Sequence, residues 1–282
     1  PLDMYPEQTT YSEWLNSVFA DEGVAFPDGR FGGVKTGPLT SCQDCHMPDQ
    51  IAGGCFAWEN PPFYERQDLG QHTFLGANTW VLRAIRAQYP DSETGLTESS
   101  VERAIDRNIA FMAAASDVEL EQQGDDLRVR IVNYTGHKLP TGYPEGRRMW
   151  INVRFLDDAG ELVDERGGYD LASATLDETT TKVYEKRAGI IPEVAAEANL
   201  PAGESFHLTL NSEVLFDNRI PPMGFTNAAF EAFGGAPKGA TYEDGQFWDD
   251  TLFGIPAGAT RAVVNVYHQS MTREYIEWLR DT

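Results

Sequence analysis

The spacing of apolar residues changes once along this chain, near residue 116, and that change restricts the fold more than any other feature. Before it, "TTYSEWLNSVF", "GANTWVLRAIRAQY" and "SVERAIDRNIAFMAAA" carry apolar side chains at helical spacing. After it, "VELEQQGDDLRVRIV" alternates around a Gly-Asp turn with Leu127, Val129 and Ile131 on one face. "RMWINVRFL", "GESFHLTL" and "ATRAVVNVYHQS" continue the alternation. The chain is therefore expected to be α+β. A helical and loop region fills residues 1–116, and an antiparallel, Ig-like β-sandwich with long ordered loops and a closing helix in "TREYIEWLRD" fills residues 117–282.

Within the first region a helix is predicted over residues 10–19, opened by a capping box of Thr10 and Glu13. Loop follows from Asp21 to Ser41 and again through "GGCFAWENPPFYERQDLGQH", where Gly and Pro crowd out regular structure. A helix in "GANTWVLRAIRAQY" stops at Pro90. The next opens at a second capping box, Ser99 with Glu102, and turns Val101, Ile105, Asn108/Ile109 and Met112 to one face. In the second region, residues 217–258 read as an ordered loop packed on the sandwich.

The 282 residues suffice for a substantial core without disulfide staples. With 44 acidic and 22 basic side chains the formal charge is −22, which repels phosphate backbones and anionic lipid. Nucleic acid and membrane surfaces are thus unlike partners for this chain, whereas a basic protein suits it. The sequence has no apolar run of the roughly 18 residues a membrane span needs. The opening "PLDMYPEQTTYSEW" lacks the regions of a secretory signal, so the chain reads as a processed form or as a fragment of a longer one.

Chemistry concentrates in "TSCQDCHMPD". Cys42, Cys45 and His46 form Cys-x-x-Cys-His, the attachment pattern of c-type haem. Two thioethers clamp one edge of the porphyrin and set the adjacent imidazole beneath the iron. A structural zinc site needs two more ligands at paired spacing, and Cys55 stands alone. A thioredoxin-like pair belongs at a strand-to-helix junction, not among Gly- and Pro-rich loops. One covalent haem c is therefore the expected cofactor, and its attachment belongs to an exported, oxidising compartment, periplasmic or extracellular. Cys55 is left over, as a small buried apolar residue or half of a bond to something missing.

The sixth iron position decides the function, because a second protein ligand makes an electron carrier and an open position admits substrate. His72 in "GQHTFLGANTW" and His137 in "NYTGHKLPTGYPEGRRMW" are the candidates. His207 and His268 fall within alternating strands, Met47 lies too close to His46 to cross the ring plane, and Met112 and Met149 read as core. Arg147 and Arg148 suit haem propionates or surface acids alike. Whether "FWDD" at 247–250 holds a calcium ion in its loop stays open.

"EQTTYSEWLNS" before "SCQDCHMP", then "DLGQHTFLGANTW", "TGHKLPTGYPEGRRMW", "DNRIPPMGF" and "REYIEWL" together resemble the C-terminal part of bacterial multihaem c-type cytochromes. The resemblance implies electron transfer, bis-histidine ligation and an all-β domain behind a haem-bearing helical region. By position, Cys42 and Cys45 match the thioether cysteines, His46 the proximal ligand, and His72 and His137 the distal histidines. Relatives of this kind carry a further Cys-x-x-Cys-His upstream, and this chain has none.

The reading is a monohaem electron carrier rather than an enzyme, with His72 preferred as distal ligand and His137 as the alternative. Its expected partner is a redox protein or neighbouring haem domain, in a second copy of the chain or a missing haem-bearing segment. A haem enzyme acting on peroxide or a nitrogen oxide at an open distal site, and a β-sandwich assembly module that carries a haem, are the competing functions.

Overall fold

The structure, a computed structural model, describes residues 5–35, 37–53 and 65–281. The chain divides into two compact units, Val18–Asp117 and a second made of Pro1–Ser17 with Val118–Thr282.

In place of one helix over 10–19 there are two, α1 (Thr10–Leu15) and α2 (Val18–Asp21). Between them Asn16 and Ser17 turn their side chains back onto Ser12 O and Trp14 O (2.8 and 2.7 Å), competing with the helical ladder. The Thr10 capping box does not form either. Thr9 is the N-cap, its hydroxyl donates to Glu13 Oε1 (2.6 Å), and Thr10 Oγ1 bonds Thr141 Oγ1 (3.0 Å). Glu13 is wholly buried, held by ions rather than by a cap.

The unit Val18–Asp117 continues with α3 (Cys42–His46), the antiparallel pair β1 (Asp49–Gly53) and β2 (Glu65–Gly70), α4 (Val81–Gln88), α5 (Asp91–Thr94) and α6 (Glu98–Ala114). The strand pair stands where loop was expected. α4 ends before Pro90 as the sequence requires but begins only at Val81, since the main chain at Gly76 and Asn78 is bonded to Asn108 instead. Thr97, not Ser99, caps α6: its hydroxyl accepts from Ser100 N (3.3 Å). Val101 and Ile105 are buried on the expected face, while Ile109 is exposed. Phe19, Phe26, Phe31 and Phe111 run ring to ring through this unit at 5.4 to 6.2 Å.

The other unit is sandwich-like. β3 (Ser116–Gln123) and β4 (Asp126–Asn133) form the hairpin around Gly124 and Asp125, followed by β5 (Arg148–Leu156), β6 (Leu162–Arg166), the short pair β7 (Tyr169–Asp170) and β8 (Thr175–Leu176), and β9 (Val183–Ile190). After α7 (Pro192–Ala198) come β10 (Gly203–Glu204), β11 (Glu213–Asp217), α8 (Asn227–Ala232), β12 (Trp248–Gly254), β13 (Arg261–Gln269) and α9 (Arg273–Asp281). One sheet runs β12-β4-β3; the other runs β10-β9-β5-β13, with β6 on β5 and β11 on β9.

Alternation explains the packing. Leu127, Val129 and Ile131 of β4 point into a core shared with Met149, Ile151, Val153 and Phe155 of β5, while Arg128 and Arg130 reach outward to Asp250. The strand expected over 203–210 survives only as β10, because Leu210 N and Asn211 N turn back onto His207 O (3.0 and 2.8 Å). Residues 217–258 are more than a loop: they contain α8 and β12 and close a second small core of Phe225, Phe230 and Tyr242.

A buried ionic cluster ties α1 to this sandwich. Asp217 accepts from Lys138 Nζ (2.8 Å) and from both Nε and Nη2 of Arg219 (2.8 and 2.7 Å), and Arg219 reaches Glu13 Oε1 at 3.2 Å. Glu13 Oε2 accepts from Lys138 N and Thr141 Oγ1 (3.0 and 2.7 Å). Burial pushes the Asp217 carboxyl up, but Arg219 and Lys138 outweigh it and bring it down to about 2. Glu13 is lowered by the same contest.

Candidate cofactor site

Ser41 starts α3 with a complete capping box. Its hydroxyl accepts from Asp44 N (3.3 Å), and Asp44 Oδ2 accepts from Ser41 N and Thr40 N (2.9 and 2.7 Å). Lys35 Nζ closes on the other oxygen at 2.6 Å. Burial raises the Asp44 carboxyl, but Lys35 and the two amides overcome it and hold it at about 2, so the cap stays charged at neutral pH. The result is one fixed turn that sets Cys42 and Cys45 three residues apart on one side, with His46 last.

Cys42 is exposed and Cys45 half-buried. Burial, then Asp44 and Cys42, push the Cys45 thiol up to about 12. Without a metal Cys45 is therefore held as the thiol, the form that does not attack a disulfide. Among the described residues no three His, Cys, Asp or Glu side chains converge as metal ligands.

Three contacts among the described residues hold His46. Its Nδ1 lies 2.5 Å from Leu75 O, and Leu75 N returns a bond to His46 O at 2.9 Å. Its ring packs on Phe111 of α6 at 5.1 Å. A carbonyl only accepts, so Nδ1 carries a proton, and in the neutral imidazole Nε2 then holds the lone pair. This is the tautomer of an imidazole that ligates through Nε2. The loop bearing Leu75 is itself anchored: Asn108 Oδ1 accepts from Gly76 N (3.2 Å), and Asn108 Nδ2 donates to Asn78 O (2.9 Å).

His72 is exposed in the same loop, with its ring 5.9 Å from Phe74. Gln71 N bonds Pro48 O (3.2 Å), so the segment from 71 to 75 runs beside the end of α3; the residue joined to His46 is Leu75 rather than His72. His137 belongs to the sandwich unit. Its Nδ1 lies 3.1 Å from both Lys138 O and Thr135 Oγ1, and its carbonyl accepts from Asn133 Nδ2 (2.8 Å). Lys138 O accepts only, so here too Nδ1 is the donor.

The remaining candidates have other work. His207 sits in a turn, edge-on to Trp278 at 4.9 Å. His268 lies in β13, where burial and then Arg147 bring it down to about 4. Met149 is core. Arg148 pairs with Glu178 and donates to Gln269 Oε1 (2.9 Å), and Arg147 donates to Thr141 O (2.6 Å) while its buried Nε has no acceptor among the described residues. "FWDD" is not an open loop. Asp249 accepts from Lys182 Nζ and Tyr184 OH (2.5 and 2.7 Å), and Asp250 bridges Arg128 and Arg130. Cys55 lies outside the described residues.

A haem fits these donors. Two sulfurs on one turn, an Nε2 lone pair beside them, and large apolar side chains left exposed on the same unit match a covalently held, largely apolar plane. Those side chains are Phe74 (69%), Ile51 and Ile109 (both 51%) and Trp80 (46%).

Neither a protein-family model nor a curated protein matches this chain. Among solved structures, it resembles a penta-heme cytochrome c552 from Thermochromatium tepidum, at 14% identity and a TM-score of 0.44, over 92% of this chain and 49% of that one. The chain thus spans about half the length of that protein. A likeness this loose fixes neither fold nor function, and the site's own residues have to carry the functional reading.

Proposed function

We propose that this chain is a c-type cytochrome unit that passes single electrons through one covalently attached haem. Cys42 and Cys45 supply the thioethers, and His46 binds the iron through Nε2. The observation that carries this is the bond from His46 Nδ1 to Leu75 O, which presents Nε2 one residue from a sulfur pair. Bound haem supplies a one-electron iron couple.

The chain's own residues do the rest. Asp44 and Ser41 fix the turn on which both sulfurs stand, Leu75 fixes the imidazole, and Phe111 packs against its ring. His72 is the distal ligand we favour, because its loop returns to the end of α3; His137, with the same Nδ1-to-carbonyl pattern, is the alternative. Ligation by two histidines makes this a carrier rather than an enzyme. The working place is the periplasm or cell exterior, and the partner a basic redox protein or a neighbouring haem domain.

Absorption spectra in both redox states, taken on the parent and on His72→Ala, test the reading. The parent is expected to be six-coordinate and low-spin, and the variant to lose that signature. An unchanged low-spin variant transfers the distal role to His137. A high-spin parent supports an enzyme with an open site instead.

A further inference from the structure

Asn108 stands on α6, in a row with buried Val101 and Ile105, where an amide has no packing advantage over leucine. Both ends of its side chain are used on one loop: Oδ1 takes Gly76 N at 3.2 Å and Nδ2 gives to Asn78 O at 2.9 Å. The residue before Gly76 is Leu75, whose carbonyl receives His46 Nδ1 and whose amide bonds His46 O. One helical turn along α6, Phe111 packs on the same imidazole. A single rigid helix therefore fixes the ring and the carbonyl it points to.

We infer that Asn108 is a positioning residue for His46: by clamping residues 76–78 to α6 it holds Leu75 O on Nδ1–H and so sets the electron donation of Nε2. The inference rests on the proposed haem ligation for its functional meaning. A carbonyl on Nδ1–H makes an imidazole more basic and favours the more highly charged metal state. Removing the clamp loosens that bond and favours the reduced state.

The test compares the holoprotein with Asn108→Leu, which keeps the volume and removes both bonds, and with Gly76→Ala, which keeps the amide donor and places its Cβ in open space. At a fixed solution potential, Asn108→Leu should raise the ratio of reduced to oxidised protein about ten-fold, or about 59 mV for one electron. Gly76→Ala should match the parent. Nitrogen NMR of His46 supplies a readout that needs no redox change: the Nδ1–H resonance should shift or broaden in Asn108→Leu alone. If Asn108→Leu does not fold, Asn108→Ser is measured in its place. Parent-like potential and imidazole resonances in a haem-loaded Asn108 variant would overturn the inference. A parent without haem would defeat the proposed function, and the His46 resonances of the haem-free chains would still decide whether Asn108 sets the tautomer.

Discussion

The two units solve the problem of burial differently. The sandwich unit closes on itself: strands of β4, β5, β9 and β12 share one apolar core, and its central charges, Glu13, Lys138, Asp217 and Arg219, neutralise one another out of water. The unit Val18–Asp117 buries Phe19, Phe31, Leu39, Val101 and Ile105 but leaves Ile51, Phe74, Trp80 and Ile109 open to solvent. The sandwich unit also leaves large apolar side chains open, Leu171 and Leu252 among them. What sets Val18–Asp117 apart is that Phe74 and Ile109 stand open on the loop and the helix that hold the His46 imidazole, where the proposed haem would complete it.

The largest effect should come from denying that completion. In Cys42→Ser/Cys45→Ser the unit Val18–Asp117 should lose most of its amide protection in hydrogen exchange, while β4, β5 and β13 keep theirs. Equal protection in both units would erase the contrast. Next in size is the converse. Asp217→Asn leaves two buried cations, Lys138 and Arg219, facing the single carboxylate of Glu13, and the one positive charge left uncompensated costs about 3–5 kcal/mol. Denaturant unfolding should register that loss on the sandwich signal with the haem spectrum unchanged.

The smallest effect concerns acid. His268 has its folded value near 4 against 6.5 when exposed, so the unfolded chain takes up a proton that the folded one refuses. Its contribution is complete above pH 6.5 and is lost as the pH falls towards 4, about 3 kcal/mol in all. Stability of His268→Gln should fall less than the parent's across that window, and parallel curves would show that burial beside Arg147 does not govern the ring.

How much of this was legible in sequence depended on whether a residue's role is local. β4 could be read because one buried face forces alternation on Leu127, Val129 and Ile131. The Cys-x-x-Cys-His motif could be found because its spacing is fixed, and a single capped turn forms where it stands. Glu13 could not: its partners, Lys138, Arg219 and Thr141, come from far along the chain, and locally it mimics a cap. The start of α4 was hidden for the same reason, being set by Asn108 from another helix. Leu75 acts through its main chain, which no side-chain pattern advertises. Asn108 did leave a signal, a polar residue in an apolar row, but not the identity of its partner. The strand expected across His207 failed because alternation there is interrupted by a turn that costs no apolar residue.

The claim on which the contrast stands is that Cys42 and Cys45 are joined to a tetrapyrrole. Intact mass spectrometry of the chain, produced in a host that exports and attaches haem, decides it together with thiol titration of both cysteines. A mass one haem above the polypeptide, with neither sulfur reactive, is the result expected; the bare polypeptide mass with two titratable thiols would contradict it.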